Sequence, residues 1–115
     1  MGSVDSRLLV KGQGASPGEY RGIIRILKKD TENYPIALGE IIVLPFATPF
    51  HTFSMMKAGA IITDRGGITS HAAVIAREIG IPCIVGTGNA TSVLRTGMDV
   101  IVNGNTGCIY QSGTN

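Results

Sequence analysis

From Leu8 onward the chain is built of short apolar runs separated by glycine, proline and polar breaks, most of them too brief for a helix. Leu8 to Gly12 reads as a strand, Gly14 to Gly18 as a turn, and Tyr20 to Leu27, with partial alternation, as a second strand. Lys28 to Gly39 is charged and polar with Pro35 inside it, which predicts a loop. Glu40 to Leu44 is a further strand ending at Pro45. Thr48-Pro49 is a helix start, Thr as N-cap and Pro in the first helical position, and Gly59 is the stop. The helix over Pro49 to Ala58 places Phe53, Met55 and Met56 in the core. Ala60 to Thr63 has strand character, the helix carrying His71 in its first turn stops at Gly80, and Cys83 to Val85 is apolar again. Strand, helix and strand in so few residues predict a tight βαβ unit, with glycine loop and helix N-terminus facing one crevice. A short helix follows, capped by Asn89 and ended by Gly97; Met98 to Asn103 and Cys108 to Tyr110 then form a hairpin across the Gly104 to Gly107 turn. Six or seven strands with about three helices in this order predict an α/β fold, a partly parallel central sheet plus an antiparallel layer.

Composition narrows this only a little. A chain of 115 residues, 43% hydrophobic and 16% charged, is long enough for one core without disulfides or metals. Residues 1–7 are expected to be a flexible N-terminal segment or an expression remnant, with the folded domain over residues 8–115. The formal charge of +2 makes no case for nucleic acid, and Lys11, Arg21, Arg25, Lys28 and Lys29 read as a solvated basic face. No apolar run approaches the roughly 20 residues of a membrane span, and the N-terminus lacks a signal peptide's apolar region. A cytoplasmic protein without membrane contact is the expectation.

The chemistry concentrates between Asp64 and Arg77. Gly66 and Gly67 permit positive φ and can turn their N–H groups toward a concavity, which the helix N-terminus completes as a site for a phosphate dianion. At the positive end of that helix the protonated imidazole of His71 is disfavoured, so the neutral, nucleophilic form is expected. Thr69 or Ser70 can cap the helix, and one of the hydroxyls can hold one ring nitrogen and leave the other to attack. Together these residues point to covalent phosphoryl transfer through histidine. Arg65 can balance the phosphoryl charge, and Arg77 can reach toward it or pair on the surface; Asp64 is read as structural. His51 is read as a satisfied or surface residue of a helix start. Ala72, Ala73 and Ala76 let the helix lie close to the sheet.

Other readings fail on spacing. Gly86-Thr87-Gly88 lacks the third glycine of a dinucleotide fingerprint, and no Walker loop is present. Gly104 to Gly107 has the GxxG form of an RNA clamp but joins two strands. Two histidines and two cysteines without zinc spacing give no metal site, and Cys83 and Cys108 read as buried free thiols.

The run Gly66 to Thr87, GGITSHAAVIAREIGIPCIVGT, resembles the phosphohistidine motif of the phosphoenolpyruvate-utilising enzymes: phosphoenolpyruvate synthase, pyruvate phosphate dikinase, rifampicin phosphotransferase and enzyme I of the bacterial sugar phosphotransferase system. Ile79 to Pro82 and Val85 to Thr91 are most similar to the synthase branch, Ala15 to Gly18 matches the family's Ala-Ser-Pro-Gly element, and a weaker similarity runs from Lys11 to Tyr110. Phe50-His51 departs from the acidic or aromatic pair usual after Thr-Pro, which weakens any docking role for that helix. The resemblance implies a swivelling β/β/α domain that carries a phosphoryl group on His71 between nucleotide and phosphoenolpyruvate or pyruvate sites, in the direction from ATP and pyruvate to phosphoenolpyruvate. It implies no cofactor on this domain; Mg²⁺ and ATP belong to partner domains, an ATP-grasp domain and a barrel domain, in cis or in trans. It points to phosphorylation of the ring nitrogen remote from the Thr69 hydroxyl. Alternatives within reach are a carrier of another dikinase-type phosphotransferase, or a non-catalytic partner-binding module of the same fold.

Overall fold

The computed structural model describes residues 7–28 and 36–112. In chain order its elements are β1 (Leu8–Lys11), β2 (Gln13–Ser16), β3 (Glu19–Ile26), β4 (Ile41–Leu44), a 3-10 turn (Pro49–His51), α1 (Thr52–Met56), β5 (Ala60–Thr63), α2 (His71–Ile79), β6 (Cys83–Val85), α3 (Ala90–Val93), β7 (Asp99–Asn103) and β8 (Cys108–Gln111). The strands line up as β1-β8-β7-β3-β4-β5-β6-β2. The β3, β4, β5 and β6 neighbours are parallel, while β1, β8, β7 and β3 are antiparallel. The expected α/β fold, a partly parallel sheet with an antiparallel layer, is the fold observed.

The strand order also shows how the layers arise. β1 and β2 stand at opposite ends of it, yet only Gly12 separates them in the chain. One residue spans less than about 4 Å, so the sheet must curl until its edges meet. Irregular registers in both end strands supply the bend. The enclosed space is filled by Ile24, Ile41, Val43, Ile62, Ile84, Val100, Val102 and Ile109, with Ala90 and Leu94 of the α3 region against it. Alternate residues of the same central strands, Ile42, Leu44, Ile61, Cys83 and Val85, point the other way, onto Met55 of α1 and Ala72, Ala73 and Ala76 of α2. β4, β5 and β6 are therefore buried on both faces, which is why they read as unbroken apolar runs. The result is sheet, sheet and helix in three layers.

Several sequence expectations are corrected. The turn expected over Gly14 to Gly18 is confined to Pro17-Gly18, because Gln13–Ser16 pairs with β6. A Cβ at Gly14 would lie 2.1 Å from the Gly104 carbonyl oxygen, so glycine is there for close backbone approach. The helix expected over Pro49 to Ala58 is a 3-10 turn followed by five α-helical residues ending at Met56. Of Phe53, Met55 and Met56 only Met55 enters the core; Phe53 is 81% and Met56 54% exposed. Gly59 serves less as a stop than as a seat for Tyr20, whose ring atoms would lie 2.1 Å from a Cβ there. At α3 the Asn89 side chain makes no cap bond. The Ala90 N–H donates instead to Thr87 Oγ1 and the Thr91 N–H to Asp64 Oδ1. The predicted flexible N-terminal segment lies, but for Arg7, outside the described residues, as do residues 29–35 of the predicted loop.

Candidate functional site

The parallel strands all deliver their connections to one edge of the sheet, where ligand sites of α/β folds sit. The loop after β5 leaves that edge alongside β4: the Asp64 N–H donates to the Leu44 carbonyl and the Arg65 N–H to the Pro45 carbonyl. Gly66 then takes φ of 123°, a region open to glycine, and the chain turns back toward the sheet. Gly67 does not share that conformation, against the expectation of positive φ at both. Its carbonyl accepts the Ser70 N–H at 3.0 Å, and α2 begins. Ser70 is the N-cap, its Oγ accepting the Ala73 N–H at 3.4 Å, and Gly80 closes the helix in the left-handed region.

His71 is thus the first residue of α2, partly buried at the rim. Its Nε2 lies 2.9 Å from the Thr52 hydroxyl. The hydroxyl on the ring comes from the preceding helix, not from Thr69 or Ser70: Ser70 is engaged with the helix cap and Thr69 is exposed. Thr52 was not legible as a site residue. The one signal that points to it is topological, since β4-α1-β5-α2-β6 are successive parallel crossovers, which set the starts of α1 and α2 side by side.

The remaining predicted residues divide into those that face the rim and those that hold it. Arg65 lies over the Phe46 ring, its Cζ 4.7 Å from the centroid, and the two line a cavity of about 360 Å³ with Ala47, Gly66 and Ser70. Arg77 stays exposed but is engaged with main chain: Nη1 donates to the Ala15 carbonyl at 2.9 Å and Nη2 to the Ile68 carbonyl at 2.8 Å. It braces the glycine loop against β2. Asp64 is structural as expected, accepting from Thr87 Oγ1, the Thr91 N–H and Thr91 Oγ1, and so tying the loop after β5 to α3. His51 is buried, its Nδ1 accepting the Thr48 N–H at 3.0 Å. Cys83, under α2, has its thiol pushed up to about 12 by burial, with Arg77 opposing. Phe50, Phe53, Met56 and Ile68, on the elements that hold His71, are each at least half exposed. Among the described residues no three His, Cys, Asp or Glu side chains gather as a metal site, and no helix is long and apolar enough to cross a membrane.

The fold and site together are those of a β/β/α domain that presents a histidine at a helix start, behind a glycine loop. Residues 36–107 match the family model described as PEP-utilising enzyme, mobile domain, and the chain belongs to that family. It is 48% identical over 104 residues to a probable phosphoenolpyruvate synthase of Methanothermobacter thermautotrophicus, covering 90% of this chain and 15% of that protein. With the phosphoenolpyruvate synthase of Pyrococcus furiosus it shares 43% over 107 residues, 93% of this chain and 13% of that one. The chain therefore spans a small part of the curated relatives it matches. Among solved structures, an enzyme I protein determined by NMR is 32% identical with a TM-score of 0.60, over 70% of this chain and 34% of that one. Aconitase X of Thermococcus kodakaraensis, 20% identical, has the same fold with a TM-score of 0.69 over 95% of this chain and 100% of that one.

Proposed function

We propose that this domain is the phosphoryl carrier of a phosphoenolpyruvate-synthase-like phosphotransferase, with His71 transiently phosphorylated and shuttled between a nucleotide site and a phosphoenolpyruvate or pyruvate site. The observation that carries the reading is the partly buried His71 ring, held at Nε2 by the Thr52 hydroxyl on the rim where the glycine loop turns. With the hydroxyl donating, the imidazole proton is on Nδ1 and the lone pair on Nε2. Nε2 is then the acceptor, the reverse of the expectation that the hydroxyl-bonded nitrogen is held back. Its lone pair forms the N–P bond as the bond from phosphorus to the donor oxygen breaks; the oxygen keeps that bond's electron pair, Nδ1 keeps its proton, and Thr52 gives up its place to the phosphoryl group. Transfer of this kind needs positioning and charge rather than covalent help from the protein. Arg65 on Phe46 supplies a cation at the rim, and Gly66 and Ser70, with the Thr69 hydroxyl beside them, supply its polar wall. Against the doubt that Phe50-His51 cast on docking by this helix, the exposed Phe53 and Met56 of α1 offer an apolar seat for partner domains, the ATP-grasp and barrel domains that carry ATP, Mg²⁺ and phosphoenolpyruvate or pyruvate.

The test is phosphoryl incorporation into wild type and His71→Ala, offered label from phosphoenolpyruvate, from the β position of ATP and from the γ position, with an extract of the source cell. Acid-labile, alkali-stable label on wild type alone, from both phosphoenolpyruvate and β-ATP, is the expected result. Label from phosphoenolpyruvate only would move the reading to the sugar-transport type, for which the likeness to enzyme I speaks. Label surviving on the Ala variant would overturn the role of His71.

A further inference from the structure

Every described glycine but one has a reason inside the domain. Gly18, Gly39, Gly66, Gly80, Gly86, Gly88, Gly97 and Gly107 take positive φ. At Gly12, Gly14, Gly22, Gly59 and Gly104 a Cβ would fall within 3.0 Å of another atom. Gly67 meets neither condition: its φ is not positive, and a Cβ built there meets nothing within 4 Å. A glycine in such a place costs conformational entropy on folding that alanine would not, with no return in contacts or backbone geometry. It stands four residues before His71, beside Gly66 and Ser70 of the rim cavity.

We propose that Gly67 is kept bare for the partner: during transfer the protein surface that holds the phosphoryl ester seats directly over its Cα, and a side chain there holds donor and His71 apart. The inference rests on the phosphoryl-carrier reading of His71 and makes Gly67 a positioning residue, not a catalytic one. The rim explains why bareness matters at this point. Arg65 is already laid over Phe46, and Ile68 and Thr69 are exposed, so Gly66 and the partly exposed Gly67 are a stretch of loop backbone without side chains between them. In-line transfer tolerates little separation, and a methyl group there lifts a docked surface by more than an ångström.

The experiment separates docked transfer from chemistry at the histidine. Gly67→Ala and Gly67→Val are made in the native polypeptide as the source cell's gene encodes it, with Gly66→Ala as the contrasting variant. Each is labelled from phosphoenolpyruvate and β-labelled ATP, and separately from phosphoramidate, a free donor that needs no docking; melting is followed in parallel. Gly67→Val is expected to label from the docked donors about 100-fold more slowly, and Gly67→Ala about 10-fold, as a displacement of an ångström or so dictates. Both should label from phosphoramidate at the wild-type rate and melt no lower than wild type. Gly66→Ala should melt lower, since its positive φ is lost to a side chain. Unchanged rates from docked donors in both Gly67 variants would overturn the inference and leave the carrier reading standing. So would an equal loss from phosphoramidate, which would make Gly67 structural. A wild-type protein whose His71 takes label from no donor would overturn the carrier reading, and the inference with it.

Discussion

The chain holds two histidines, each in the first turns of a helix, each bonded to a threonine, and the fold uses them in opposite ways. His51 is 4% exposed and turned under its own turn, with Nδ1 accepting the Thr48 N–H three residues back. His71 stands at the rim, and its Nε2 meets the hydroxyl of Thr52, nineteen residues away in sequence. The first bond is local and ties a main-chain donor that the 3-10 turn would otherwise leave open; the second crosses between helices and fixes a ring at the surface. A histidine bonded to its own turn stabilises. One bonded from a neighbouring element, and only partly buried, is held where a partner can reach it.

The largest effect that tests this contrast is a double dissociation. His71→Ala should abolish phosphoryl label while costing less than about 1 kcal/mol of stability, the value of one rim hydrogen bond. His51→Ala should do the reverse. It empties a buried site and strips the Thr48 N–H of its acceptor, a loss of about 2 kcal/mol in urea unfolding, with label per folded molecule unchanged. If His51→Ala lost label at full stability, the two histidines would not be opposites.

Next in size is Thr52, whose hydroxyl fixes the ring. Thr52→Val keeps the shape and removes the bond, and should slow labelling about 10-fold through a misoriented ring. Thr52→Ser should restore it. Nitrogen NMR of the imidazole should find the Nδ1–H tautomer favoured in wild type and in the Ser variant, and a more even mixture in Val. Arg77 comes third, because it acts through the loop. Arg77→Ala releases the Ala15 and Ile68 carbonyls and should cost about 1 kcal/mol, with a few-fold slower labelling. Arg77→Lys should not recover both bonds, since an ammonium has no planar fork.

How much of this was legible depended on how local the cause was. The helix of His71 could be read, down to a cap at Thr69 or Ser70, because its signals are its own: Ser70 proves to cap it, Gly80 ends it, and the alanines face the sheet. The double burial of β4, β5 and β6 could be read from their unbroken apolar runs. β2 could not, since Gln-Gly-Ala-Ser has no strand propensity and is a strand only because β6 lies beside it and Gly104 against its backbone. The apolar residues of α1 misled for a related reason. Phe53, Met55 and Met56 read together as core, yet the short helix lies so that of the three Met55 alone turns inward. Thr52 carried no local mark at all; its partner is fixed by the order of the crossovers.

The smallest prediction extends the contrast to a third nucleophile. Cys83, like His51, is reactive by type and sealed by position: burial raises its thiol from 9.0 to about 12, against the opposing charge of Arg77. The folded state therefore holds the thiol neutral through a range in which the unfolded chain ionises. For such a raised group the stability contribution is complete below the unfolded value and is lost as pH climbs toward the folded one. Between pH 7 and 9 the loss should reach about 0.4 kcal/mol, where half of the unfolded thiols are ionised, and it should steepen above that. The measurement is urea unfolding of wild type and Cys83→Ala at both pH values, taking the difference of differences so that other groups cancel. A thiol sealed in this way should also resist iodoacetamide at pH 8 until urea opens the fold, whereas diethyl pyrocarbonate should modify His71 in the native protein well before His51. Fast alkylation of Cys83 in the folded state would mean that α2 lifts readily from the sheet, and that the seat of His71 is less fixed than its bonds to Thr52 and the cap require.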